Sequence, residues 1–195
     1  MSAPTPGVEE AAKTPSRNAT TATQPATASA KPVNLPLTKR PIDIFFAIMF
    51  TIFIVTSCIA DMLPTLGIDF TEPNGQFLVD SNYWYAQDAD PLFMYAPVWM
   101  RIVTGLSAFV YMLFYLVLVP ALIRGWNWIQ LPAVIYATMI ASITGIIVFG
   151  VEFFGEPEWQ TGNPVKFLAF NLPYVLIPLL LLIRMRKPLP FTRKF

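Results

Sequence analysis

Histidine is absent from the 195 residues, and cysteine occurs once, at Cys58. The first absence removes the commonest general acid/base near neutral pH and the commonest metal ligand, so no metal or cofactor is expected, and any catalysis would fall to carboxylates, tyrosine or serine. The second excludes an intrachain disulfide. Charge is scarce as well: 13% of residues are Asp, Glu, Lys or Arg, against 55% apolar, too greasy for a water-soluble domain. A formal net charge of +1 excludes a generally basic nucleic-acid binder.

What is present is a set of long charge-free runs. Ile44–Ala60 gives 17 uncharged residues, 102–123 gives 22, 131–151 gives 21 and 167–183 gives 17. At a rise of about 1.5 Å per residue, each can span a hydrocarbon core of about 30 Å. The apolar residues do not alternate, so a barrel is excluded. The fold class is therefore an all-α membrane protein, a four-transmembrane-helix bundle with a disordered N-terminal tail. Residues 1–40 hold ten Ser or Thr, six Pro and no aromatic residue, too little apolar surface to offset ordering entropy. That gives a cytoplasmic tail at 1–40, a membrane domain at 41–188 and a basic C-terminal tail at 189–195. A cleaved signal is not expected, because the first long apolar run begins only after Arg40. Proline at 173 and 178 predicts a kink in the fourth span.

Eleven of the thirteen Lys and Arg fall before the first span, at Arg124, or in the last twelve residues. The positive-inside rule then places both termini in the cytoplasm. Asn18-Ala19-Thr20 matches a glycosylation sequon but would not meet the lumenal enzyme on this topology. Gly67 to Pro97 carries five acids and no base and is expected to be lumenal. The aromatic cluster Tyr83-Trp84-Tyr85 within it suggests a short interfacial helix over the mouth of the bundle.

Ionisable and polar groups at membrane depth are site candidates, because each costs several kcal/mol unless paired, hydrated or protonated. Asp61 closes the first apolar run, with Ser57 one turn earlier; a headgroup-level carboxylate is the alternative. Thr104, Ser107 and Tyr111 recur at i, i+3 and i+7, one stripe expected to face inward. Tyr136, Thr138 and Ser142 add hydroxyls on the third span, and Asn171 and Tyr174 flank Pro173 on the fourth. Such stripes also serve helix packing. Their convergence favours a cavity, since a dry bundle has no use for so many groups needing partners. Glu152, at the end of the third span, is expected to be solvated.

Several stretches resemble the EXPERA family of four-helix endoplasmic-reticulum proteins over about residues 41–188. They are Ile59-Ala60-Asp61-Met62-Leu63-Pro64, Trp84-Tyr85-Ala86 with Asp90-Pro91-Leu92, Pro97-Val98-Trp99, the run from Trp128 to Tyr136, and Pro173-Tyr174-Val175-Leu176-Ile177-Pro178. These are closer to the sigma-2 receptor branch than to that of the emopamil-binding sterol isomerase. The resemblance implies an intramembrane cavity, open sideways to lipid, for sterols and hydrophobic amines, and a role in sterol or cholesterol homeostasis or trafficking. It implies that Asp61 and Asp90 meet as a carboxyl pair, one holding a proton and the other left as the anion for a ligand amine. Trp99, Tyr136 and Tyr174 would then supply aromatic walls. It also implies endoplasmic-reticulum residence, a membrane-protein partner in sterol transport and a homodimer.

Two departures matter. Ser107 stands where the sigma-2 receptor branch carries a buried glutamate. The isomerase's histidine is missing, and no acid lies between Ile102 and Val151. A non-enzymatic binding protein is therefore the leading expectation. The alternatives are an isomerase-type enzyme using Asp61 and Asp90, and a structural or scaffolding bundle.

Overall fold

The computed structural model describes residues 33–193. The expectations for residues 1–32, the tail and its sequon, lie outside the described residues.

Among the described residues, four helices are long and apolar enough to cross a membrane: α1 (Pro41–Leu66), α4 (Val98–Arg124), α5 (Asn127–Phe154) and α6 (Pro164–Arg184). Two short helices, α2 (Phe77–Ala89) and α3 (Pro91–Tyr95), lie between the first and second of these. Pro41 and Pro164 occupy first helical turns, where a proline loses no intrahelical hydrogen bond. Gly67 (φ 69°) and Gly125 (φ 73°) stop α1 and α4 in the left-handed conformation, which glycine adopts without a Cβ penalty. The kink expected in the fourth span is an interruption at Leu172, between helical stretches Pro164–Asn171 and Pro173–Arg184.

Helix α1 packs along α4, and α5 along α6. Phe46, Phe50, Phe53, Tyr115, Leu118, Tyr136 and Leu181 fill the space between the helices. Rings from three helices meet there: Phe50 lies 5.3 Å from Tyr115 and 5.9 Å from Tyr136, centroid to centroid. Residues outside this seam, such as Ile48, Ile102 and Ile183, are exposed, as expected of surfaces facing lipid.

At the end where α1 begins, Asp43 is fully buried and accepts hydrogen bonds from Arg40 Nη1 (2.8 Å), Arg184 Nε (2.9 Å) and Arg184 Nη2 (2.9 Å). Arg40 also donates to the Leu122 and Ile123 carbonyls, which end α4 without intrahelical partners. Phe191 lies under both guanidiniums, 5.1 Å from Arg40 and 5.2 Å from Arg184. These contacts correct both tail boundaries. Val33–Asn34 (β1) pairs antiparallel with Thr192–Arg193 (β2), and Leu37–Lys39 forms a 3₁₀ turn, so residues 33–40 and 189–193 close this end of the bundle. Their polar composition conceals partners far away in sequence.

At the opposite end, α2 and α3 cap the bundle. Lys166 reaches from α6 to Asp88 (2.7 Å) and to the Trp84 carbonyl, with its ammonium 4.0 Å from the Trp84 ring. Leu63, Phe70, Val79, Ala86, Leu92 and Phe93 form a second apolar cluster here. The helix expected around Tyr83-Trp84-Tyr85 is α2.

Candidate functional site

Three of the long helices widen into π-helical turns, at Ser57–Asp61 in α1, Leu106–Tyr111 in α4 and Ile143–Val148 in α5. Such turns occur often at functional sites, because the extra residue re-aims side chains. All three contribute to one cavity of about 450 Å³, which α2 and α6 also line, within the usual range for small-molecule sites of about 300–1,000 Å³.

Asp61, Asp90, Thr104, Ser107, Tyr111, Asn171 and Tyr174 all line this cavity. Trp99 and Tyr136 do not. Trp99 packs against the second apolar cluster, and Tyr136 is buried in the main core, its hydroxyl 2.9 Å from that of Tyr115. Thr138 and Ser142 face outward and donate to the carbonyls of Val134 and Thr138, each at 2.9 Å. The expectation that they point inward is corrected: a helical hydroxyl can satisfy itself one turn back.

At one wall Asp61 Oδ2 accepts from Ser107 Oγ at 2.6 Å, and Ser57 Oγ stands 3.4 Å from Ser107 Oγ. Thr104 is occupied by its neighbours, since Thr65 donates to its hydroxyl at 3.0 Å and it donates to the Met100 carbonyl at 3.1 Å. Tyr174 stacks on Phe53 at 4.3 Å and donates to Thr56 Oγ1, joining α6 to α1. Tyr111 is 6% exposed, and its hydroxyl has no partner among the described residues.

The second wall is built around Asp90. Its Oδ1 caps α3 by accepting the Phe93 N–H at 2.9 Å, and its Oδ2 accepts from the Tyr85 hydroxyl at 2.8 Å. Asn171 donates in turn to the Tyr85 oxygen, so α2, α3 and α6 converge on one carboxyl. Burial and the neighbouring Asp90 charge hold the Tyr85 phenol far above its ordinary value, and it stays a donor. Burial likewise raises the Asp90 carboxyl above the usual carboxylate range, against the hydrogen bonds it accepts from the Tyr85 hydroxyl and the Phe93 N–H.

Glu152 does not itself line the cavity, but it is the buried acid behind the Asp90 wall that the sequence did not disclose. It is fully buried rather than solvated, because α2 and α3 fold over the end of α5. No donor among the described residues reaches either of its oxygens in good geometry; its polar neighbours are the Asp90 carboxyl and the Leu92 backbone. Two carboxyls buried against each other cannot readily both ionise, and among the described residues no hydrogen bond joins Asp90 to Glu152. The expected direct pairing of Asp61 with Asp90 is absent: no hydrogen bond joins them among the described residues, and the carboxyl against Asp90 is that of Glu152. The only signal for Glu152 was an acid ending a long apolar run. Among the described residues no cluster of metal-ligating side chains occurs.

Residues 77–185, from the start of α2 to just past the end of α6, match the EXPERA family (EXPanded EBP superfamily). The chain belongs to the EXPERA family. Over an alignment of 119 residues, this EXPERA chain is 30% identical to Sigma intracellular receptor 2 of Xenopus tropicalis, with 56% of this chain and 69% of that relative covered. The EXPERA match includes Asp90, Ser107, Glu152 and Asn171, while Asp61 precedes it.

Proposed function

We propose that this EXPERA protein is a non-catalytic binding protein of the endoplasmic-reticulum membrane, which holds sterols and hydrophobic amines between its helices and acts in sterol homeostasis or trafficking. The observation carrying this reading is an apolar-walled cavity of about 450 Å³ reached by two carboxyls, Asp61 and Asp90. Neither is paired with a cation among the described residues. An apolar ammonium ion fits both features, since the walls take its hydrocarbon and a carboxylate takes its charge. A neutral sterol fits the walls alone. Kinship with Sigma intracellular receptor 2 supports a ligand-binding role.

The distribution of Lys and Arg supports cytoplasmic termini and a lumenal position for α2 and α3. The family resemblance supports endoplasmic-reticulum residence, a membrane-protein partner and a homodimer. Titration of the purified chain in lipid nanodiscs with radiolabelled cholesterol, and with a hydrophobic tertiary amine as competitor, tests the reading. Saturable binding of both is expected; absence of saturable binding of either would contradict it.

A second reading, a proton-transfer enzyme, is favoured by the Asp90 and Glu152 pair. Two carboxyls buried against each other beside a cavity can do acid/base work. Its test is conversion of a Δ8 to a Δ7 sterol by the purified chain. The binding reading expects no turnover above a denatured control, and turnover abolished by Asp90→Asn would put the enzyme first.

A further inference from the structure

Three tyrosines of the bundle lie in contact, and only one lacks a use for its hydroxyl. Tyr115 and Tyr136 hydrogen-bond to each other at 2.9 Å. Tyr111 packs edge-on against Tyr136, ring centroids 5.1 Å apart at 79°. Its hydroxyl, buried and without a partner among the described residues, belongs to a side chain that lines the cavity. Phe53, Leu106 and Ile140 line the same cavity and offer no acceptor. Burying a phenol oxygen with nothing to bond is costly, and a phenylalanine would fill the same space without that penalty.

We infer that Tyr111 forms a second polar subsite of the cavity, one that hydrogen-bonds a neutral oxygen, the hydroxyl or carbonyl of a bound lipid. A phenol is uncharged, and it both donates and accepts, so it matches an alcohol or ketone and offers nothing to an ammonium ion. The charge selection belongs to Asp61. Ser107, which holds Asp61, and Tyr111 are four residues apart within the π-helical turn of α4, about one turn. A ligand oxygen that displaces the packing over this hydroxyl meets a second chemistry one turn from the first. An oxygen-bearing neutral lipid binds through Tyr111 without needing the carboxylate. This inference rests on the sterol-and-amine reading and names the atom that holds the neutral ligand.

Tyr111→Phe in the full chain, reconstituted in nanodiscs, tests it with three probes: cholesterol, cholest-5-ene (which lacks the hydroxyl) and the oxygen-free amine N,N-dimethyldodecylamine. The variant is expected to bind cholesterol about 3- to 10-fold more weakly and the other two as the parent does. Without ligand its Tm should equal or exceed that of the parent, whereas Tyr115→Phe, which breaks the Tyr115 and Tyr136 bond, should lower it. Unchanged cholesterol affinity in Tyr111→Phe would overturn the inference while leaving the binding reading intact. A ligand-free Tm that falls as in Tyr115→Phe would also overturn it, because the hydroxyl would then serve the fold. Failure of the parent to bind any probe would overturn the binding reading, and this inference with it.

Discussion

The Ser107 hydroxyl donates to Asp61 Oδ2 at 2.6 Å, tying the π-helical turn of α4 to that of α1 at the cavity wall. Asp61 is thus held by a neutral donor and stays available as a counter-ion. Ser107→Ala removes the bond and leaves a partly buried carboxylate short of a donor. The expected cost is about 1–3 kcal/mol of stability, read as a lower Tm, with weaker amine binding from a less well oriented carboxylate. Equal stability of the two proteins would mean that water replaces the serine without loss.

The Asp90 site has a pH signature. Burial raises the Asp90 carboxyl, which is faced by Tyr85, the Phe93 N–H, Asn171 and Glu152. The folded chain therefore holds this proton more tightly than the unfolded chain does. Its contribution is fully present below the unfolded value of about 4 and is lost as pH rises through the raised folded value, by about 1.4 kcal/mol for each pH unit separating the two. Thermal unfolding between pH 4 and 8 should show Tm falling with pH in the parent and a flatter profile in Asp90→Asn. An equal or steeper fall in the variant would show that the slope comes from other groups.

At the other end, Asp43 neutralises two arginines in a buried cluster. Asp43→Ala leaves both guanidiniums uncompensated and should cost about 3–5 kcal/mol. Limited proteolysis is the matching readout, since both arginines hold Phe191 and Arg40 also holds the Leu35 carbonyl next to β1. Cleavage after Arg186 should accelerate in the variant. An unchanged rate would show that this closure does not depend on the ion cluster.

The spans were legible because charge-free runs of 17–22 residues leave few other solutions. The α4 stripe was legible too, since i, i+3, i+7 spacing fixes a shared face. Other features depend on partners that spacing does not reveal. Whether a hydroxyl faces the interior is not set by its type: Thr138 and Ser142 bond their own helix and point to lipid. Glu152 is buried only because α2 and α3 fold over it. The order in residues 33–40 comes from Arg40 and from Arg184, which lies 141 positions beyond Asp43, too far apart for composition to reveal. Asp90 and Asp61 line one cavity, while the carboxyl set against Asp90 is that of Glu152.

The most direct measurement is the affinity of Asp61→Asn for a hydrophobic tertiary amine and for cholesterol, determined side by side with the parent. The substitution keeps the shape and a hydrogen-bonding group next to Ser107 while removing the charge. Loss of a buried charge-assisted bond should weaken the amine by about 2–5 kcal/mol, roughly 30-fold or more, with cholesterol affinity changed by less than about 3-fold, under one neutral hydrogen bond. Equal affinities of parent and variant for the amine would contradict the account, because Asp61 would then not be the counter-ion in the cavity.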